Sequence, residues 1–287
     1  MARLRRVLAG AAAVTVMTVT GIVAFTGTAS ASVTGWENQH GASLSDSASV
    51  KVAVAPCTGG KLLVGAAGWI DDGDGEVHIE SIRPSATSVE VVAYEDEDGY
   101  AGNWTVNAEA ICTDPLAGLE IITATSVASS YPNKFAIAEC TGNRKVVGAA
   151  AEISGGGGQV VINKIAPLDD RVNVSAYEDG TGTTNVWNVK AYAICADAGQ
   201  LTGRHIDSYT GTRNSDDYKA NPAACAQDEV LTGGGAYIYP YTGEVSFSFY
   251  PVDFSGGFQF MHVEAHEDGN GTGSTWEITT YIVCVDE

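Results

Sequence analysis

"CTGNRKVVGAA" (residues 140–150) occurs twice more in variant form, as "CTGGKLLVGAA" (57–67) and "CAQDEVLTGGGA" (225–236). Working outward from these stretches, the same landmarks recur. The first copy carries Cys57, Gly65, Pro84, Glu95, Trp104 and Cys112. The second carries Cys140, Gly148, Pro167, Glu178, Trp187 and Cys195, and the third Cys225, Gly233, Pro251, Glu267, Trp276 and Cys284. Cys to Gly is eight residues, Glu to Trp nine and Trp to Cys eight in every copy. Self-similarity at a fixed period defines a repeat architecture. The copies span 33–117, 118–198 and 199–287, each about 83 residues.

Within the second copy, "LEIITATSV", "KFAIAEC", "KVVGAAAEI", "QVVINKIAP", "RVNVSAYE" and "VWNVKAYAIC" are short β-rich runs separated by Gly, Asn, Asp and Ser clusters. That is the punctuation of strands. In the last run Trp187, Val189, Ala191, Ala193 and Cys195 alternate onto one face. No stretch beyond residue 31 reads as a helix. The expected fold is all-β: three tandem antiparallel β-sandwich-like repeats of five or six strands, each with one internal disulfide. The alternative is a single pseudo-three-fold β-prism- or trefoil-like domain. Two cysteines per copy at fixed spacing pair most simply within the copy, as Cys57–Cys112, Cys140–Cys195 and Cys225–Cys284. A bridge across so long a loop stabilises by about 2–4 kcal/mol. Structural zinc sites use close pairs such as C-x-x-C, and the chain has none.

The N-terminus has Arg3, Arg5 and Arg6, an apolar stretch from Val7 to Phe25, and the small-residue exit Ala29-Ser30-Ala31. This pattern predicts a signal peptide over residues 1–31, with an uncleaved membrane anchor as the alternative. The rest of the chain then keeps 12 basic against 35 acidic residues, a net charge of −23. Such a chain is repelled by nucleic-acid phosphates and anionic lipid, so neither is an expected partner. The expectation is a secreted, extracellular protein without a membrane span after the signal.

The C-x(4)-(K/L/V)-(L/V)-(V/T)-G-(A/G)-(A/G) pattern, followed by "AYAIC", resembles a repeat of secreted actinobacterial proteins, with similar segments in some phage tail proteins. It covers nearly all of the chain after the signal. The resemblance implies export and repeat folding; no activity is attached to that group.

Candidate chemistry falls into a few clusters. Trp104, Trp187 and Trp276 share strand alternation with the paired cysteines, which predicts packing in the core. Trp69 and Tyr237 occupy one equivalent position, with Glu152 in the second copy. A position that changes from aromatic to charged suits an exposed face, so Trp69, Tyr237, Tyr239 and Tyr241 are the candidates for stacking against a sugar. Tyr237 to Tyr241 ("YIYPY") and "FSFYP" give the third copy extra aromatic surface. Asp71, Asp72, Asp74 and Glu76 offer several carboxylates on one turn, the donor type of calcium, in a site private to the first copy. His262, Glu264 and His266 alternate on one strand face, a spacing that suits zinc or copper. The E-D-G turns explain themselves: Asp bonds its own local backbone, and Gly takes positive φ. Glu95, Glu178 and Glu267 are expected at strand ends; turned inward, they would need a partner.

No G-x-S-x-G elbow is present and only five histidines exist, so an enzyme is not expected. The reading is a non-catalytic protein that binds a glycan, cell-wall polymer or surface partner, with no resident cofactor unless calcium occupies the acidic turn. A structural envelope protein is second and a metal-dependent hydrolase third.

Overall fold

The computed structural model describes residues 32–73, 75–254 and 258–287. The signal-like segment and Asp74 lie outside the described residues.

The first copy forms β1 (Glu37–Ala42), β2 (Val50–Pro56), β3 (Leu62–Asp71), β4 (Val77–Pro84), β5 (Ser88–Glu95) and β6 (Thr105–Thr113). The second forms β7 (Glu120–Thr125), β8 (Asn133–Glu139), β9 (Arg144–Ser154), β10 (Val160–Pro167), β11 (Arg171–Glu178) and β12 (Asn188–Asp197). The third forms β13 (His205–Thr210), β14 (Tyr218–Ala220), β15 (Ala223–Ala224), β16 (Glu229–Tyr239), β17 (Val245–Phe254), β18 (Phe258–Glu267) and β19 (Glu277–Asp286). The six runs read from the second copy are its six strands. A single 3₁₀ turn, Ala198–Gln200, is the one helical element among the described residues.

Each copy is sandwich-like. In the first, β1-β6-β3 forms one layer and β2-β5-β4 the other, and β2 packs across onto β1 and β6. Cys57 follows β2 and Cys112 lies on β6, so the disulfide ties layer to layer. All three bridges join the expected cysteines, with Cα atoms 5.8, 5.8 and 5.7 Å apart.

The layers do not stop at the copy boundary. The first layer of copy 1 continues into β17-β18-β14 of copy 3, with β15 also on β18. The second continues into β9-β12-β7 of copy 2, and β10-β11-β8 of copy 2 continues into β16-β19-β13 of copy 3. Three antiparallel sheets therefore each draw strands from two copies. The tandem reading and the pseudo-three-fold reading of the sequence describe two aspects of one arrangement: three sandwich-like repeats that share their sheets around an axis. The seams are narrow. Register across them rests on Gly68 opposite Phe249, Ser81 opposite Glu152 and Lys164 opposite Tyr237.

The repeated "G-A-A" segment explains the closure. β3, β9 and β16 contact one another, and each carries a bulge at the residue before its glycine: Val64, Val147 and Thr232. The bulged carbonyl of one copy faces the glycine of another. A Cβ on Gly65 would lie 2.1 Å from the Thr232 oxygen. One on Gly148 would lie 2.1 Å from the Val64 oxygen, and one on Gly233 2.7 Å from the Val147 oxygen. No side chain fits at such distances, so glycine is required by close backbone approach.

Gly148→Ala is therefore expected to cost about 1–3 kcal/mol through overpacking, read as a lowered Tm and denaturant midpoint. Gly199→Ala, where an added Cβ meets nothing within 4 Å, should leave both nearly unchanged. Equal effects would refute the close-approach account.

Candidate functional site

The E-D-G turns prove structural in detail. Asp96 Oδ1 accepts from the Asp98 and Gly99 amides (3.1 and 3.0 Å), and Asp179 Oδ1 from Thr181 and Gly182 (3.0 and 2.7 Å). Asp268 Oδ1 does the same with Asn270 and Gly271 (3.0 and 2.9 Å). The preceding glutamates close β5, β11 and β18, as expected for strand ends, and their carboxylates find a partner. Trp104, Trp187 and Trp276 are 0, 0 and 1% exposed. Their indole N–H groups donate to Glu95, Glu178 and Glu267 at 3.0, 2.7 and 2.5 Å.

A lysine completes each unit. Lys51, Lys134 and Lys219 are buried and lie 4.4, 3.5 and 4.1 Å from the centroids of the same Trp rings. Their ammonium groups bond local oxygens, such as Asp46 O (2.6 Å) for Lys51 and Tyr131 O (2.8 Å) for Lys134. An ammonium over an aromatic face is favourable when desolvated. The sequence carries the signal: each lysine stands six residues ahead of its copy's first cysteine. These three Glu–Trp–Lys units tie the E-D-G strand ends to the buried indoles.

The candidate site arises where copies 1 and 3 share a sheet. Trp69 on β3 stacks against His40 on β1, with ring centroids 5.1 Å apart. On its other side it meets Tyr250 on β17 at 4.7 Å, tilted by 42°. Tyr250 in turn meets His262 on β18 at 5.0 Å. Phe249 and Val263, the strand neighbours of Tyr250 and His262, are buried, so the row faces outward by alternation. The tilted Trp69 and Tyr250 rings are partly buried. Two residues that the sequence offered to different ligands, Trp69 and His262, thus belong to one surface.

Polar groups border the row. Asn107 on β6 bonds His40 Nε2 at 3.0 Å and donates to Asp71 at 2.8 Å. Glu264 lies 3.6 Å from His262 and accepts from Tyr218 at 3.4 Å; the Tyr218 ring packs on His266. Glu109 is paired across the sheet with His40. Burial pushes its carboxyl up to about 7, against the opposing pull of His40 and Asn38. A cleft of about 160 Å³ adjoins the row, bringing Asp72, Ser248, Glu264 and His266 to one recess. His40 and Glu109 were not singled out in the sequence, and Tyr250 was included only as part of the aromatic "FSFYP" segment. Glu109 had a signal: it is the acidic exception where the other copies have Tyr192 and Tyr281.

The other candidates separate. Exposed Asp72 takes φ 64°, Asp71 is engaged by Asn107, and Glu76 lies within hydrogen-bond reach of Asp96. Tyr237, Tyr239 and Tyr241 form a second row at the seam of copies 2 and 3. Tyr241 stacks on Tyr177 at 4.9 Å and meets Tyr237 at 5.5 Å, and Lys164 lies over Tyr237. Tyr239 and Tyr241 are each 43% exposed. Among the described residues, the third seam has no aromatic row; Glu152 there binds Lys190 at 2.9 Å and Arg83 at 3.2 Å. His205, Glu229 and Cys284 also lie close together, but Cys284 is held in its disulfide and offers no thiolate.

Two outcomes are expected. Glu178→Ala leaves a buried indole N–H unpaired and should cost about 1–3 kcal/mol in denaturation, whereas Glu178→Gln, which keeps an acceptor, should cost less. Glu109 has its folded pKa raised above the ordinary glutamate value of 4.5. The cost of ionising it in the fold is therefore absent well below pH 4.5 and fully felt above about pH 7. Glu109→Gln should raise stability by about 1–2 kcal/mol at pH 8 and by little at pH 4; an equal gain at both would refute the burial of that charge. No protein-family model and no curated protein matches the chain.

Proposed function

We propose that this chain is an exported, non-catalytic binding protein that holds a neutral glycan strand along the His40–Trp69–Tyr250–His262 row. The observation that carries the reading is that row: four rings from four strands, aligned across an outward sheet face. Sugar rings present apolar faces that pack on aromatic side chains, while their hydroxyls need nearby acceptors and donors. Asn107, Asp71 and Glu264 supply those groups. The strongly acidic chain favours a neutral polymer over an anionic one. Three disulfides suit an oxidising extracellular compartment. No helix among the described residues is long and apolar enough to cross a membrane. The tyrosine row at the seam of copies 2 and 3 offers a second surface on the same body, and linked weak sites gain avidity.

The test is retention on insoluble neutral polysaccharides and affinity electrophoresis in soluble ones. Trp69→Ala and Tyr250→Ala should each weaken binding about tenfold, the equivalent of about 1.4 kcal/mol. Tyr192→Phe, at the seam without an aromatic row, should bind as the unaltered protein does. Absence of retention on any neutral polysaccharide, or retention indifferent to Trp69, would overturn the proposal.

A further inference from the structure

The tyrosine row at the seam of copies 2 and 3 differs from the Trp69 row in charge. Leave aside the three buried lysines that lie over tryptophans. Every other lysine and arginine among the described residues is ion-paired to a carboxylate, with two exceptions. The exceptions are Lys164 and Arg213, and both lie over rings of this row. Lys164 Nζ is 4.9 Å from the Tyr237 centroid, and the Arg213 guanidinium carbon is 5.3 Å from that of Tyr239. The two rings are 6.1 Å apart. In a chain with 35 acidic residues against 15 basic ones, two unmatched cations on adjacent rings mark a surface of distinct chemistry.

The repeat marks both positions as particular to this seam. Counted from Pro84, Pro167 and Pro251, Lys164 stands where the other copies have Ser81 and Ser248. Counted from the bridges that Asp46, Ser129 and Asn214 make to the tryptophans, Arg213 stands where the others have Ser45 and Ala128. Copies 2 and 3 thus each contribute one cation to the seam they share. The ring beneath holds each cation in place but leaves its charge unneutralised. Arg213 donates its Nε–H to Thr275 Oγ1 at 3.3 Å, a neutral partner. Its remaining N–H groups form a planar fork that matches a carboxylate. The exposed Tyr239 and Tyr241 rings offer apolar faces to sugar rings. Beside Tyr237, the Thr210 hydroxyl pairs with that of Thr279 at 2.9 Å and adds hydrogen-bonding capacity.

We propose that the tyrosine row binds a polysaccharide whose sugars carry carboxylate groups, with Tyr239 and Tyr241 packing on sugar rings and Lys164 and Arg213 each pairing with a carboxylate. The net charge of the chain does not forbid this. Nucleic acid packs about one charge into each 1.7 Å of duplex axis, and the acidic chain repels it. A glycan spaces its charges by whole sugar units, and two local cations meet two of them. Beyond about 8 Å the rest of the chain's charge is screened at physiological salt. Glu277 is paired across the sheet with Tyr239, so it shares this face and opposes the ligand. The site lies on a different sheet from the Trp69 row and stands independently of the neutral glycan proposed there. A polymer with neutral and acidic stretches engages both rows.

The test is calorimetric titration with oligogalacturonate and with oligoalginate, in the presence of chelator, each against its methyl ester, which keeps the sugars and removes the charge. The charged oligosaccharides should bind and the esters far less. Lys164→Met and Arg213→Gln should each weaken binding about tenfold with Tm unchanged. Lys164→Arg should preserve binding, and Glu277→Gln should tighten it. Trp69→Ala should leave it unaltered, which separates this result from retention on neutral polysaccharides. The proposal is overturned if neither charged oligosaccharide binds, if the esters bind equally, if binding appears only when Ca²⁺ is supplied, or if it is indifferent to Lys164 and Arg213. Single-stranded DNA bound as tightly, and lost with the same substitutions, would overturn it as well.

Discussion

Three glycines, Gly65, Gly148 and Gly233, permit three strands to meet where any side chain would hold them apart. Each lies under a bulged carbonyl of another copy, at distances no Cβ tolerates. The rest of the molecule is arranged around that contact. Once β3, β9 and β16 converge, the two layers of each copy diverge from the axis and must pair with layers of its neighbours. The disulfides then tie layer to layer within a copy, and the seams tie copy to copy. A sandwich of some 80 residues has a small core for its surface; sharing sheets lets each copy cover the layer edges of the next.

The seams are also where the copies differ, and that difference places the proposed ligand row. One position, set by its spacing from the repeated glycine, is Trp69, Glu152 or Tyr237. In the sheet of copies 1 and 3 it meets Tyr250 and His40. In the sheet of copies 1 and 2 it meets Arg83 and Lys190 and becomes a salt-bridged patch. The scaffold is common to the copies, whereas the chemistry of each face is set by a few side chains at the joins. Both aromatic rows draw on copy 3, whose "YIYPY" and "FSFYP" segments flank its two seams.

Much of this was legible in the sequence because spacing alone carries it. The strands, the three bridges and the burial of Trp104, Trp187 and Trp276 follow from period and alternation. Sheet sharing does not: identical copies present identical edges, and nothing local states which copy supplies the partner strand. Alternation also misleads at β2 and β8. Val50, Val52 and Val54 are exposed, while Lys51, Ala53 and Ala55 face inward. The reason is the Glu–Trp–Lys unit, which needs an ammonium over the indole and small residues beside it. Likewise, Trp69 and His262 could be joined into one surface only once β3 and β17 were known to be neighbours.

The central claim is that no copy is a free-standing domain, because each completes its sheets with strands from the other two. It is tested most directly by amide hydrogen exchange on the isolated segment 118–198 with Cys140–Cys195 bridged. The account predicts few slow-exchanging amides in that segment, against strong protection of the same strands in the whole chain. Protection of β9, β10 and β12 equal to that in the whole chain would contradict it.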